Sequence, residues 1–403
     1  MAVADPTNPT DGPLAGQIVI DLTRALAGPH AAMMLADMGA RVIKVEDPKG
    51  GDESRRWGPP FVGPADDQLS TYFLAANRNK ESVAIDLKTD DGRSYFTALV
   101  ARADVLLENF RPGVLDRLGF GVEQLQALNP RLVILSITGF GHDGPEGVRA
   151  GYDQIAQGES GLMSMTGPPG EPTKVGVPIG DLLAGIYGAF GVVTALMQRE
   201  QTGRGEIVRT SLLAALVATQ GFQGTRWTVG HVLPTGEGNV HPSISPYGLF
   251  RAADGPVQIA IGGESAWLKL AGLLGISADD PRYLTNANRI AHRAELIRAI
   301  NTALATNPAA HWLELLDAAG IPAGKVRTLD DVYAWEQTRS QGLVVEVQHP
   351  VLGTIELPGP PIRLGKNDFA GGRAQHTSPP ALGEHTDSVR AWLNENPDTT
   401  QKN

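Results

Sequence analysis

Short apolar runs rich in β-branched residues alternate with amphipathic helical segments over the first 140 residues. The segments HAAMMLADMGA and GRSYFTALVARA predict helices, the first preceded by a turn at Gly28 and Pro29 and closed by Gly39. Strands alternating with helices form parallel sheets, so we predict an α/β fold with a doubly wound, Rossmann-like sheet that binds ligands beyond its carboxyl edge. Buried strands are predicted at 16–22, 41–46, 82–87, 104–109 and 131–138.

The pattern changes after residue 225, where the chain becomes irregular before new elements begin. VQIAIGG at 257–263 predicts a strand, and residues 266–320 predict several helices, which together favour a smaller α+β domain. The following stretch is rich in Pro and Gly and carries short strands. The predicted organisation is a large domain at 15–220 and 375–400, a small domain at 225–335, and an extended linker at 336–374 that returns to the large domain.

The segment VGVPIGDLLAGIYGAFGVVTALMQRE at 175–200 has one carboxylate, Asp181, and no further charged residue until Arg199. One interpretation makes Asp181 the N-cap of a helix that ends near Arg199 with Gly203 as its C-cap. The other makes it a nucleophile, because a carboxylate with a reference pKa of about 3.9 is ionised without help from a base. The residues alone leave both open. Glycines in a helix cost about 1 kcal/mol each and indicate close approach of backbone or ligand; they stand at Gly180, Gly185, Gly188 and Gly191.

Composition narrows the classes of function. A formal net charge of -10 argues against a protein that coats nucleic acid. The chain has no cysteine, which excludes disulfides and thiolate nucleophiles, and its scattered histidines form no metal motif, so no metal is expected. The start lacks a secretory pattern, and the longest uncharged apolar run, 182–198, is short for a bilayer span of roughly 20 residues. We expect a cytoplasmic protein that binds neither nucleic acid nor membrane.

Basic residues follow several predicted strands, at the edge where a ligand is expected. Considered one at a time, each of these basic residues is best interpreted as a solvated surface charge. Together, in an acidic chain, they favour a ligand with several phosphates, which arginine binds bidentately. They are Arg24, Arg55, Arg56, Arg78, Lys80, Arg111 and Arg117. GFGHDG at 139–144 matches the dinucleotide pattern G-x-G-x-x-G, but it opens no predicted helix, so a glycine-rich active-site loop is favoured over an NAD site.

A series of motifs spanning residues 15–395 resembles the class III CoA-transferases, the group of formyl-CoA:oxalate and carnitine CoA-transferases. The motifs are LTRALAGP (22–29), GARVIKVE with GGD (39–52), NRNKES (77–82), ENFRPGVLDRLG (108–119), SITGFGHDGP (136–145), GYDQIAQ (151–157), PTKVGVPIGDLLAGIYG (172–188), TGRGE (202–206), GNVHPSISPYGLF (238–250), GIPAGKV (320–326) and LGEHT (382–386).

The resemblance implies that Asp181 is a catalytic aspartate. It would attack a donor thioester to form a mixed anhydride, and the released CoA thiolate would convert this to an aspartyl-CoA thioester. An acceptor carboxylate would then take the CoA. CoA and acyl-CoA are in this view substrates, no cofactor is bound permanently, and the partner is a second copy in an interlocked homodimer. The implied CoA contacts are Ala25, Leu26, Ala27, Asn109, Phe110 and Arg117, with Arg149 near a position that is often Lys or Arg; Arg78 and Lys80 join them as strand-end cations.

Two positions depart from the formyl-CoA enzyme. Asp47 stands where that enzyme has an arginine near the adenosine phosphate, a contact that Arg55 or Lys49 would have to replace. GNVHPSISPYG at 238–248 stands in place of its four-glycine loop, which leaves 139–144 or 236–238 as the glycine-rich segments for stabilising an oxyanion. Family frequency alone favours succinyl-CoA as donor and a dicarboxylate as acceptor.

Three alternatives belong to other classes of function. A 2-methylacyl-CoA racemase shares the resemblance, but AGYD at 150–153 has Tyr152 where racemases carry a histidine, and tyrosine with a pKa of about 10 is a poor base. A non-catalytic CoA-binding protein would have no use for Asp181 in its glycine-bearing helix. An NAD oxidoreductase is disfavoured by the missing helix after 139–144.

Overall fold

The computed structural model describes residues 12–365 and 369–395, and the end of the predicted segment 375–400 lies outside them. The strands are β1 (Ile18–Asp21), β2 (Arg41–Glu46), β3 (Phe61–Val62), β4 (Leu69–Ser70), β5 (Lys80–Ala84), β6 (Val105–Glu108), β7 (Val133–Thr138), β8 (Ile207–Ser211), β9 (Tyr247–Arg251), β10 (Pro256–Ala260), β11 (Ala323–Lys325), β12 (Val344–His349) and β13 (Gly353–Pro358).

The helices that connect these strands range from one turn to six. They are α1 (Ala27–Asp37), α2 (Thr71–Leu74), α3 (Asp90–Arg102), α4 (Val114–Leu118), α5 (Val122–Leu128), α6 (Asp153–Glu159), α7 (Ile179–Thr202), α8 (Leu212–Ala218), α9 (Gly221–Thr228), α10 (Glu264–Leu274), α11 (Asn286–Ala291), α12 (Arg293–Leu304), α13 (Ala309–Ala318), α14 (Leu329–Ala334), α15 (Glu336–Ser340) and α16 (Thr386–Glu395), with 3-10 turns at Glu53–Arg56 and Met163–Met165.

Six strands form one parallel sheet in the order β5-β2-β1-β6-β7-β8. Ile20 of β1 is paired with Ile43 on one side and Leu106 on the other. The chain builds outward from β1 to β5 and then returns to build outward from β6 to β8. The loops after β1 and β6 therefore leave the sheet in opposite directions, which creates a crevice beyond their carboxyl ends. The predicted α/β class with a parallel central sheet is confirmed.

The two faces of the sheet carry different helices because successive side chains point to opposite sides. Ile134 of β7 joins a core with α3, α5 and α16, which contains Phe96, Leu125 and Val389. Leu135, its neighbour, faces α7. Burial on both faces explains why these strands read as continuous apolar runs in the sequence.

Helix α7 carries glycines, which have no side chain, where it packs against α1 and the sheet. A Cβ atom on Gly185 would lie 2.6 Å from the main-chain oxygen of Ala27, and one on Gly188 would lie 2.9 Å from Leu135 Cδ2. The glycines thus serve the close approach of other parts of the protein. Its 24 residues and mean hydropathy of 1.7 are also enough to cross a membrane by length and composition. The glycine-bearing face of α7 packs against α1, β7 and β8.

Three local predictions are wrong. The sheet has a further strand, β8, which the pattern missed because Arg209 interrupts a short edge run. Strand β5 begins at Lys80 and ends at Ala84, earlier than the predicted 82–87. Gly28 and Pro29 lie inside the first turn of α1, where Pro29 is tolerated because helix N-termini have no acceptor for its missing N–H.

The chain divides into two compact units. The first comprises Met1–Ser160, Val175–Thr225 and Trp335–Asn403, and the second comprises Gly161–Lys174 and Arg226–Ala334. The second contains the antiparallel sheet β11-β10-β9 and a core around Phe250 and Trp267.

Two segments group differently from the predicted boundaries. Residues 161–174, predicted in the large domain, group with the second unit, where Gly236 and Gly238 donate main-chain hydrogen bonds to this segment. The predicted linker 336–374 contains α15 and the hairpin β12-β13, which buries Val347 and Leu357 against Leu74 in the first unit.

Candidate active site

A cavity of about 480 Å³ lies at the carboxyl ends of β1 and β6, where the strand order reverses. The end of β7, residues 149–154 and the start of α7 complete its wall, and all of these segments belong to the first unit. This is the position at which doubly wound sheets bind ligands. Seven of the predicted site residues line it: Asp181, Ala25, Leu26, Ala27, Asn109, Phe110 and Arg149.

The turn after β1 is held by a buried carboxylate. Ala25 has a φ of 65°, in the left-handed region that alanine rarely adopts, and its N–H donates to Asp52 Oδ1 at 3.1 Å. Lys44 Nζ lies 2.9 Å from Asp52 Oδ2 and donates to the main-chain oxygen of Thr23 at 2.9 Å. These buried contacts preorganise the main chain at the cavity wall.

The loops after β1 and β6 are joined across the crevice by one side chain. Asn109 Oδ1 accepts from the N–H of Arg24 at 2.9 Å, and Asn109 Nδ2 donates to the main-chain oxygen of Arg24 at 2.8 Å. The Arg24 guanidinium lies 4.8 Å from the centre of the Phe110 ring. Asn109 therefore fixes the spacing of the two loops, and the Arg24 charge is presented beside an aromatic face.

Asp181 is the third residue of α7 and does not cap it. The N-cap position is Pro178, and Asp153 of α6 accepts the N–H of Gly180 at 2.7 Å. Among the described residues no hydrogen bond or ion pair engages the half-buried Asp181 carboxylate. Gly203 ends the helix with a φ of 70°, and its N–H donates to the main-chain oxygen of Arg199. The predicted C-cap at Gly203 is therefore confirmed. The N-cap interpretation of Asp181 is wrong, since another residue takes that role.

The surroundings of Asp181 make its charged form costly. Burial, and next the charge of Asp153, raise its pKa to about 7. Tyr72 also lines the cavity; burial and then the charges of Asp181 and Asp153 raise its pKa to about 12, so its hydroxyl stays neutral and can donate a hydrogen bond. The site thus holds a carboxylate that is more basic than usual beside a neutral donor.

Residues 14–386 match the family model described as CoA-transferase family III. The chain belongs to this family. Succinyl-CoA:glutarate CoA-transferase of Mus musculus is 40% identical over 93% of this chain and 85% of its own. Acetyl-CoA:oxalate CoA-transferase of Acetobacter aceti is 39% identical over 91% and 93%. A crystal structure of a CAIB/BAIF family protein from Brucella suis has a TM-score of 0.85 at 38% identity and covers 95% of this chain and 100% of that one. The resemblance seen in the motifs is confirmed.

Three of the predicted CoA contacts of this family III chain, Arg78, Lys80 and Arg117, lie outside the cavity lining, and the first two are buried in ion pairs. Arg78 is buried, donates to Asp37 Oδ1 at 2.9 Å and to the main-chain oxygen of Pro358 at 2.7 Å. Lys80 Nζ donates to Asp21, Pro29 and Asn77, each at 2.9 Å. The assignments of Arg78 and Lys80 are corrected, because each cation is buried, is neutralised by a carboxylate and lies outside the cavity lining.

Asp21 ties this cluster together. Burial raises its pKa, but the charges of Lys80 and Lys44 outweigh that effect and hold the pKa at about 2. The carboxylate is therefore ionised at neutral pH and pairs with Lys80 at 2.9 Å, while Lys44 pairs with Asp52 at 2.9 Å. The cluster supports the loop after β1 and stabilises the wall of the site without taking part in it.

The remaining strand-end cations divide by their contacts. Arg24 and Arg111 line the cavity and form no ion pair within residues 12–365 and 369–395. Arg149 lines it while paired with Glu146 and Glu159. Arg117 is exposed on α4 and lies outside the lining. Arg55 is committed to Glu46 at 2.7 Å, so it does not take the role suggested for it near Asp47; Asp47 itself lines a smaller cavity with Lys88.

Several lining residues were missed by sequence reasoning. Trp57 and Tyr72 meet edge to face with ring centres 5.0 Å apart, and neither lies in a periodic segment that would have marked it. Asp153 had a weak signal, as a carboxylate opening a helix with Gln157 one turn later. Gly139, by contrast, belongs to the predicted glycine-rich loop 139–144 and does line the cavity; a Cβ on it would lie 2.7 Å from the Gly151 nitrogen, so the two backbones approach closely. Across the described parts of the chain no group of three acidic or histidine side chains is placed to hold a metal.

Proposed function

We propose that this enzyme transfers CoA from succinyl-CoA to a dicarboxylic acid, with glutarate as the first candidate, through a covalent intermediate on Asp181. Membership of CoA-transferase family III makes it an enzyme that moves CoA between an acyl-CoA and a carboxylic acid. The choice of substrates follows the activity of the mouse relative, succinyl-CoA:glutarate CoA-transferase, which is 40% identical to this chain over 377 residues.

The reaction needs a carboxylate and no base. An Asp181 oxygen attacks the acyl carbon of the donor, a C–O bond forms, the C–S bond breaks, and CoA leaves as thiolate. The thiolate attacks Asp181 Cγ and expels the donor carboxylate, which gives the aspartyl-CoA thioester. The acceptor carboxylate attacks the same carbon and expels the thiolate. The thiolate then attacks the acceptor's acyl carbon, which yields the new acyl-CoA and free Asp181.

One observation supports this role above the others: Asp181 lines the cavity with an unengaged carboxylate, while Asp153 caps the helix in its place. A carboxylate that serves as a cap would be held by main-chain N–H groups and would be a weaker nucleophile. A pKa of about 7 leaves a large ionised fraction at neutral pH and makes that ion more basic than an ordinary aspartate.

The cations of the cavity suit the phosphates of CoA. Arg24 and Arg111 are exposed in the lining and not neutralised by any described carboxylate. They flank the two loops that the resemblance assigned to CoA, 25–27 and 109–110. We therefore propose that CoA lies along the crevice between β1 and β6 of a Rossmann-like domain, with its thioester near Asp181. Arg149 belongs to the same lining and is proposed as a further contact.

We further propose a cytoplasmic homodimer in which α7 meets a second copy. The side of α7 turned away from the sheet exposes an apolar stripe at a helical spacing of four, three and four residues. Such contiguous exposed stripes mark interaction surfaces. The stripe comprises Ile186, Phe190, Val193 and Met197, of which Phe190 is 71% and Met197 69% exposed. The interlocked arrangement of the family is the form proposed for this dimer.

Asp181→Asn tests the covalent mechanism. Succinyl-CoA and hydroxylamine are added to the wild type, which should acquire a hydroxamate on the peptide that contains Asp181. The variant should melt normally, carry no hydroxamate and lose at least nine-tenths of its turnover, about 1.4 kcal/mol or more of transition-state stabilisation. The matched control is Asp387→Asn, which removes a carboxylate from the first turn of another helix, α16, and should keep both signals.

Two outcomes would contradict the proposal. A folded Asp181→Asn variant with more than about a tenth of wild-type turnover would exclude the aspartyl intermediate. Rapid exchange of the α-hydrogen of a 2-methylacyl-CoA in deuterated water would favour the racemase instead, although Tyr152 lines the cavity where racemases carry a histidine.

A further inference from the structure

The N-terminus of α7 is capped from another helix. Asp153, the first residue of α6, places its Oδ1 atom 2.7 Å from the main-chain nitrogen of Gly180. The fit is close, since a Cβ on Gly180 would lie 3.1 Å from that oxygen. Helix N-termini leave main-chain N–H groups without acceptors and favour an anion, so Asp153 satisfies both requirements. Asp181, the next residue after Gly180, is thereby left without a capping role.

The Asp153 carboxylate is fixed in place by a buried glutamine. Gln157 Nε2 donates to Asp153 Oδ2 at 2.7 Å, and Gln157 Oε1 accepts the N–H of Val175 at 2.9 Å. Gln157 is completely buried, so these bonds are shielded from water. The chain Val175, Gln157, Asp153 and Gly180 therefore clamps both ends of the segment that leads into α7. Its effect is to hold two carboxylates, Asp153 and Asp181, at one helix end.

We propose that Asp153 is a positioning residue for CoA transfer: it anchors the start of α7 and sets a fixed negative charge beside the Asp181 carboxylate. The neighbouring charge makes Asp181 more basic and so a stronger nucleophile toward the donor thioester, because nucleophilicity rises with basicity within one class of group. This inference rests on the proposed function, since it requires Asp181 to attack.

The other titratable groups near Asp181 do not duplicate this effect. Tyr72 on α2 has its pKa raised to about 12, first by burial, and stays neutral. His30, on the face of α1 that meets α7, has its pKa lowered to about 4 by burial and then by Arg78, so it is also neutral. Burial and the charge of Asp153 are the two causes that raise the pKa of Asp181. The remaining charged or titratable groups in the lining are Arg24, Glu53, Arg111, Arg149 and Tyr152.

Asp153→Asn separates charge from capping. Asparagine keeps an acceptor oxygen for the Gly180 N–H and caps helices about as well as aspartate. We expect a folded enzyme in which the acidic limb of the pH profile of kcat/KM for succinyl-CoA, with glutarate as acceptor, moves to lower pH by a unit or more. At pH values above that limb, kcat/KM should fall by about threefold for each unit by which the pKa of Asp181 is lowered, because the nucleophile becomes less basic.

The matched control is Asp91→Asn, which removes an exposed carboxylate from the first turn of α3 and should leave the acidic limb unchanged. If Asp153→Asn fails to fold, Asp153→Ser replaces it, since serine also caps without charge. Failure of both to fold would reduce Asp153 to a structural cap and overturn the proposal.

An unchanged acidic limb in a folded Asp153→Asn enzyme would also overturn it. That outcome is distinct from failure of the proposed function. If Asp181→Asn is inactive and the acidic limb of Asp153→Asn is unchanged, only the role of Asp153 is contradicted. If Asp181→Asn is active, the covalent mechanism itself is contradicted.

Discussion

Asp181→Asn should stabilise the protein while it abolishes transfer. The folded protein raises the pKa of Asp181 from 3.8 to about 7, because burial and Asp153 disfavour its charged form. Between pH 4 and pH 7 the folded state holds a proton that the unfolded state has released. Stability therefore falls as pH rises through this window, and the loss is complete above the folded pKa. Asparagine has no charge to bury, so the variant escapes this loss.

The size of the effect follows from the shift. About three pKa units at about 1.4 kcal/mol each set an upper limit near 4 kcal/mol at pH 8. The side chain lines an open cavity and is only half-buried, so solvent screening reduces this to about 2 kcal/mol. At pH 4 the difference between the two proteins should be close to zero. No capping is lost, because Pro178 and Asp153 occupy that role.

Urea unfolding followed by tryptophan fluorescence at pH 4, 6 and 8 measures the difference directly. Comparing wild type with variant at each pH cancels the contributions of the titrating groups that do not interact with Asp181. The stabilisation should grow between pH 4 and pH 7 and then level off. A difference that does not change with pH, or a variant that is less stable at pH 8, would refute the electrostatic picture of the site.

Three further predictions concern packing, substrate binding and assembly. Gly185→Ala should destabilise the protein by about 1–3 kcal/mol in urea unfolding, because its Cβ would lie 2.6 Å from a main-chain oxygen of α1. Gly272→Ala, in α10 with no atom within 4 Å of its Cβ, is the control and should be neutral or gain up to about 1 kcal/mol. Arg111→Ala should raise the KM for succinyl-CoA about tenfold and more than Arg117→Ala does, since only Arg111 lines the cavity; equal effects would contradict the placement of CoA. Phe190→Glu should convert a dimer to monomer in light scattering, because it charges the centre of the exposed stripe on α7; an unchanged mass would exclude that interface.

Much of the secondary structure of the first unit could be predicted from local sequence patterns. The alternation of strands and helices predicted a parallel sheet. A helix between two strands carries the chain back to the other end of the sheet, so the next strand runs in the same direction as the one before it. The same argument placed Arg24 and Arg111 at the ligand edge, the family resemblance added 25–27 and 109–110, and all of these residues line the cavity. Asp181 stood out because a lone charge in an apolar, glycine-bearing helix is costly without a purpose.

What the sequence could not determine was which polar groups meet. Lys80 looked like a phosphate ligand until the fold placed its ammonium against Asp21, 59 residues earlier. The residues alone left Asp181 as either a cap or a nucleophile until the fold brought Asp153, 27 residues before Gly180, to the helix end. Local spacing fixes the type and the faces of each element, because those depend on backbone sterics and on burial of one side. The role of a charged side chain depends instead on its neighbours across the fold, so only the tertiary structure decided which carboxylate caps the helix and which is left unengaged at the cavity.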